Sequence, residues 1–227
     1  MSAVLGIPAA AAADGAARPM PNVGPNVLAK VPPKVLVLGD SLTAGFGLPR
    51  EEAFPARLAS ALEAAGHPVS LIEASVSGDT SAAARSRLAW SLDALGAAPD
   101  AAIVELGAND ALRGLSPEQM RANLSAILDE FGKRSIPVLL AGMHAPPNLG
   151  ESYGREYDAV FADLVRRYDV VFYPFFLEGV ALDPALNQPD GIHPNAEGVD
   201  VIVKKILPSV EALLTRVAAT SGRRAAR

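Results

Sequence analysis

With no cysteine and only three histidines, the chain has few ways to build a nucleophile and a base. The missing thiols exclude disulfides, a thiolate nucleophile and every cysteine-ligated metal site. A serine hydroxyl is then the natural candidate, and it needs a base to be effective. His193 has Asp190 three positions before it, and Pro194 biases it away from helical backbone, so Asp190-Gly191-Ile192-His193 reads as a turn. One-turn spacing can bring carboxylate and imidazole to the same side. Asp190 would accept the Nδ1–H, fix the tautomer and stabilise the imidazolium formed when the ring takes a proton. The plainer alternative is a turn with His193 merely packed beside it. His67 falls between a helical stretch and an apolar run and reads as a surface turn residue. His144 follows an apolar run with no carboxylate close in sequence, which suits the wall of a pocket better than catalysis.

Ser41 is the candidate nucleophile. It lies in the segment Val37-Leu38-Gly39-Asp40-Ser41-Leu42, where a strand would give way to a tight turn. If a helical turn starts there, its free N–H groups favour negative charge beside the hydroxyl. A serine in this position also serves as a plain helix cap, and Asp40 is suited to holding such a turn through local hydrogen bonds. Two further residues complete the chemistry of acyl transfer, which needs donors aimed at a developing oxyanion. Asn109 offers a side-chain amide. Gly78 offers a backbone N–H with no Cβ in the way, and the Ser41 N–H would be the third donor.

These residues need elements that carry them to one place. Five short apolar runs recur: Val35–Leu38, Val69–Ile72, Ala102–Leu106, Pro137–Ala141 and Val170–Tyr173. Continuous aliphatic runs of this length suit strands covered on both faces. Between and after them lie helical stretches, at about 52–65, 80–95, 117–134, 153–167 and 196–215. Ser116-Pro117-Glu118 is a start signal, Gly66 and Gly132 stand where stops are expected, and Pro208 should kink or split the last helix. Strict alternation predicts an α/β, three-layer doubly wound domain with a five-stranded parallel sheet, over residues 34–216. Such sheets bind ligands at the carboxyl ends of their strands. Ser41, Asn109 and His144 each follow a run within three residues, Gly78 follows the second run in the stretch Ser75–Asp79, and Asp190 with His193 follow the fifth across a long loop.

Four blocks together resemble the SGNH/GDSL hydrolase superfamily. Val37-Leu38-Gly39-Asp40-Ser41-Leu42-Thr43-Ala44-Gly45 looks like the nucleophile block. Ala74-Ser75-Val76-Ser77-Gly78-Asp79-Thr80 and Val104-Glu105-Leu106-Gly107-Ala108-Asn109-Asp110 look like the two oxyanion blocks. Asp190-Gly191-Ile192-His193-Pro194-Asn195 looks like the block with acid and base. The resemblance spans roughly residues 34–215 and is nearest to the bacterial arylesterase branch, which includes multifunctional acyl-CoA thioesterases and lysophospholipases. It implies a flavodoxin-like SGNH hydrolase fold and hydrolysis of esters or thioesters through a serine acyl-enzyme, with no metal or cofactor. It also implies an acyl pocket lined after the third block. In this chain Ala108 stands where that block usually has a second glycine.

Leu112, Leu115, His144 and Phe175 are the candidate pocket residues. The apolar ones favour an acyl chain over a sugar, though apolar residues are equally often core. A carbohydrate O-deacetylase on the same fold is the nearest alternative. A non-enzymatic binding module is a distant one, since the spacing of Gly39, Gly45 and Gly47 is that of no phosphate loop.

Composition sets the surroundings. The chain has 227 residues and a net charge of −5, with basic residues clustered only at Arg223, Arg224 and Arg227, so nucleic acid is not expected as a partner. The small apolar start through Ala9–Ala13 looks like the later part of a signal peptide and favours a periplasmic or secreted location. Residues 14–33, rich in Pro, Gly and Asn, read as a linker within an N-terminal extension over 1–33. Residues 217–227 read as a flexible tail. No apolar run approaches the ~20 residues of a membrane span.

Overall fold

The computed structural model describes residues 31–225. The expected leader and nearly all of the linker lie outside the described residues. Five strands form, within a residue or two of expectation: β1 (Lys34–Leu38), β2 (Ser70–Glu73), β3 (Ala101–Glu105), β4 (Val138–Ala141) and β5 (Val171–Tyr173). They pair in parallel in the order β2-β1-β3-β4-β5. All of β3 and β4 is buried, and β1 is buried from Val35 onward, whereas Ser70 and Glu73 of the edge strand β2 are exposed. Unbroken apolar runs therefore belong to the central strands, as covering on both faces demands.

Each strand feeds a helix that returns the chain. The long helices are α2 (Phe54–Ala64), α3 (Ser81–Ala94), α5 (Pro117–Lys133), α6 (Glu151–Arg167) and α7 (Ala196–Ala225). Two short ones, α1 (Ser41–Ala44) and α4 (Ala108–Leu112), sit directly after β1 and β3. The chain runs outward from β1 to β2, then crosses back to β3. Keeping right-handed crossovers through that reversal puts the helices on opposite faces. Accordingly α2 packs with α7, while α3 packs with α5 and α5 with α6. Leu58 and Leu62 of α2 and Ile206, Val210 and Leu213 of α7 are wholly buried, each worth roughly 1.5–3 kcal/mol of apolar burial. The reversal leaves a crevice between the carboxyl ends of β1 and β3, where ligands bind in such sheets.

Helix ends follow their residues in most places. The Ser116 hydroxyl accepts from the Gln119 N–H with Pro117 at the first helical position. Gly66, at φ +81°, stops α2, and the following His67 N–H reaches back to the Leu62 carbonyl at 2.8 Å. Three expectations need correction. Gly132 does not stop α5, which continues to Lys133; the left-handed turn falls on Ser135, at φ +56°. Pro208 does not split α7. It is exposed, as is Lys204 four residues earlier, so the carbonyl that loses its partner faces solvent while Ile206 and Val210 anchor the helix. Nor does helix give way to a tail at residue 217: α7 runs on to Ala225, held near its former limit by Arg216, which bonds the Asp169 carbonyl and carboxylate at 3.1 and 2.8 Å.

Candidate active site

Leu38 of β1 lies beside Val104 of β3 in register, so the turns after these two strands emerge side by side. After β1, Gly39 and Asp40 make the turn and Ser41 opens α1. Asp40 caps that helix, its Oδ1 accepting the Leu42 N–H at 2.9 Å. After β3, Gly107 takes φ +118°, a conformation that favours glycine, and α4 begins at Ala108. Asn109 then donates from Nδ2 to Asp40 Oδ2 at 2.9 Å, tying the two turns together. Ala108 has helical backbone, so the methyl it carries in place of the usual glycine costs no strain there.

The second half of the site comes from the segment before α7. Asn187 and Pro194 bridge antiparallel, the Gln188 N–H bonds the His193 carbonyl at 2.7 Å, and Gly191 turns the chain at φ +70°. At the tip, Asp190 Oδ1 accepts the N–H groups of Ile192 and His193 at 2.9 and 3.0 Å, and its Oδ2 lies 2.6 Å from His193 Nδ1. The His193 backbone N–H, the ring and the Ile192 N–H hold the Asp190 carboxyl down at about 2. On the other side of the ring, His193 Nε2 lies 2.9 Å from Ser41 Oγ. Two residues that the sequence reading passed over steady this meeting. Phe46 packs on the His193 ring, centroids 4.6 Å apart. Gln188 donates from Nε2 to the Phe46 carbonyl at 2.7 Å, joining the serine loop to the histidine loop across 142 residues.

Gly78 sits in its loop at φ +85°, its carbonyl accepting from Arg113 at 2.8 Å. That loop is pinned to the third block through Asp110, which accepts the Ser81 N–H at 2.8 Å and the Ser81 hydroxyl at 2.5 Å. Beside Ser41 and His193 opens a cavity of about 580 Å³ whose walls include Leu112, Met143, His144, Phe175, Leu177 and Ile192. His144 has a carboxylate partner after all: Asp158, fourteen positions on, 3.0 Å from its Nδ1. Leu115 must be corrected, since it lies off the cavity wall. Its N–H bonds the Asp110 carbonyl and its carbonyl accepts the Tyr153 hydroxyl, so it closes the turn after α4. His67 is exposed at the amino end of the sheet, away from this site. Among the described residues no three metal-ligating side chains converge, and no helix is long and apolar enough to cross a membrane.

A serine within reach of a histidine that is itself held by an aspartate, at the switch point of a parallel sheet, defines a serine hydrolase of the α/β class. Residues 37–201 match the GDSL-like lipase/acylhydrolase family. The chain belongs to this family and is a hydrolase of carboxylic esters. It is 38% identical over 164 residues to an arylesterase of Vibrio mimicus, covering 72% of this chain and 81% of that one. It is 34% identical to esterase TesA of Pseudomonas aeruginosa, covering 79% and 89%. Among solved structures it resembles AlinE4, an SGNH-hydrolase family esterase, with 49% identity, TM-score 0.69 and coverage of 81% and 97%.

Proposed function

We propose that Ser41, His193 and Asp190 form the catalytic triad and that the chain cleaves esters of aryl alcohols and of short to medium acyl chains through an acyl-enzyme. His193 Nε2 takes the proton as Ser41 Oγ bonds to the carbonyl carbon, and the carbonyl oxygen becomes the oxyanion. The N–H groups of Ser41 and Gly78 and the second hydrogen of the Asn109 amide receive that charge. The histidine then passes its proton to the departing oxygen or sulfur. Water, deprotonated by the same ring, repeats the addition and releases the acid. The observation that carries the reading is the unbroken chain from Ser41 Oγ to His193 Nε2 at 2.9 Å and from His193 Nδ1 to Asp190 at 2.6 Å.

The largely apolar cavity supports an acyl or aryl group over a sugar. Acyl-CoA thioesters and lysophospholipids share that chemistry and differ only in the leaving group. Export to the periplasm or beyond belongs to the same reading, supported by the small-residue run Ala9–Ala13. The test is kcat/KM on p-nitrophenyl esters and acyl-CoA thioesters of rising chain length, with Ser41→Ala as control. Each methylene that enters the cavity adds about 0.8 kcal/mol, so kcat/KM should climb up to roughly fourfold per methylene until the space is filled. A series that peaks at acetate would favour the deacetylase reading instead.

A further inference from the structure

β3 ends on an acid where its pattern asks for an apolar residue. Glu105 stands between Val104 and Leu106, and all three are wholly buried. Among the described residues neither oxygen of the Glu105 carboxyl has a partner at good hydrogen-bond geometry. What lies against it is the carboxyl of Asp40, together with the Asp40 backbone N–H and the hydroxyl of Thr43. The fit is close: a Cβ on Gly39 would collide with Thr43 Oγ1 and stand 3.0 Å from Glu105 Oε2. The Thr43 hydroxyl is already engaged with Ser75 Oγ at 2.8 Å. Asp40 is equally buried yet well supplied, with the Leu42 N–H on one oxygen and the Asn109 amide on the other, both at 2.9 Å.

Two adjacent carboxylates cannot both stay charged in such a place, because burial and mutual repulsion each oppose it. One proton must be held by the pair. The two N–H donors favour the charge on Asp40, which leaves the proton on Glu105. A protonated Glu105 no longer needs donors to offset a buried charge; it becomes a donor to Asp40. We propose that Glu105 acts as a neutral carboxylic acid whose hydrogen bond to Asp40 holds that carboxylate in place, and that Asp40 in turn orients the Asn109 amide toward the oxyanion. Glu105 is thus a positioning residue, two steps removed from the substrate. One amide hydrogen of Asn109 is committed to Asp40, so the direction of the other depends on where Asp40 sits.

Burial and the neighbouring Asp40 charge push the Glu105 titration well up, in the same direction. The other ionisable groups facing the pair are Tyr157 on α6, itself beside Asp110 and Tyr153, and His193 across the site. Of these only His193 can carry positive charge. Ionising Glu105 would therefore place a second negative charge beneath the point where the oxyanion forms.

The inference rests on the triad and oxyanion assignments above, so its test includes a readout independent of them. Infrared spectra of the intact protein at neutral pH should contain a carboxylic-acid carbonyl band that disappears in Glu105→Gln and persists in Ser41→Ala. Glu105→Gln, which keeps a neutral donor of the same shape, should retain kcat within about threefold. Glu105→Leu, which removes the donor, should lower kcat about 10- to 100-fold with KM nearly unchanged, the scale of misplacing a catalytic group. Absence of a band assignable to Glu105 would overturn the proposal, whatever the kinetics. So would equal losses of kcat in the Gln and Leu variants, or a Leu variant within threefold of the parent. If Glu105→Leu fails to fold, the band and the Gln variant decide the matter.

Discussion

Around Ser41, the residues Gly39, Asp40 and Thr43 are all buried, and the turn is pinned by hydrogen bonds to β1's neighbours and to α4. Around His193 the opposite holds: Asp190, Gly191 and Ile192 are exposed, and the segment is held by its own turn geometry and by one glutamine. The serine side is a piece of the core that happens to end in a hydroxyl. The histidine side is a surface loop clipped against it. Changes that break a buried hydrogen bond on the first side should therefore cost stability along with activity, while changes on the second should cost activity almost alone.

The largest effect should come from Ser41→Ala, which removes the proposed nucleophile without disturbing the buried turn. We expect kcat to fall by about 10⁶-fold, the scale seen when the nucleophile of a triad is removed, with Tm unchanged within a degree or two. Next, Asp190→Asn should lower kcat by roughly 10⁴-fold through the wrong imidazole tautomer. It also carries a pH signature. The folded Asp190 carboxyl titrates near 2, below the ~3.9 of an unperturbed aspartate, so it adds stability above the higher value. That contribution is lost as pH falls through the lower one. Denaturant titrations should find wild type and Asp190→Asn converging between these two pH values; a constant gap down to pH 2 would break the assignment. Because Asp190 is partly exposed, the neutral-pH difference itself should be small.

Asn109→Ala should lower kcat by about 10²–10³-fold, the effect of losing one oxyanion donor. Unlike Asp190→Asn, it should also destabilise the fold, because Asp40 loses a donor in a buried place, at about 1–3 kcal/mol. Equal stability losses in the two variants would erase the distinction between core side and surface side. The smallest effect belongs to Gln188→Ala, which unclips the loop: about tenfold in kcat, with little change in Tm. Full activity there would mean that the His193 loop holds its own position without the serine loop.

The two sides also differed in what the amino-acid order revealed. That Ser41, Asn109, Asp190 and His193 would be brought together was legible because each follows an apolar run or sits three residues from its partner, and local spacing carries that information. The central strands were legible for the same reason. Phe46 and Gln188 were not, since their meeting depends on a closure across 142 residues that no local pattern encodes. His144 seemed to lack a carboxylate for a similar reason, Asp158 lying on a helix that only folding brings alongside. Leu115 and Gly132 misled by type: an apolar residue closed a turn and a glycine sat inside a helix, where burial on neighbouring positions outweighed propensity. Pro208 misled because a proline whose orphaned carbonyl faces water is tolerable when the turns on either side are buried. Glu105 did leave a trace, as an acid inside an otherwise apolar strand, and such an interruption is a signal worth reading.

The most direct measurement is the site of covalent capture. A phosphonate or fluorophosphate ester mimics the tetrahedral adduct and should add once per chain, with the added mass mapped to the peptide bearing Ser41 and inactivation keeping pace with labelling. Ser41→Ala should take up none. Label on any other residue in step with inactivation, or a Ser41→Ala protein that still turns over ester at the parental rate, would contradict the account.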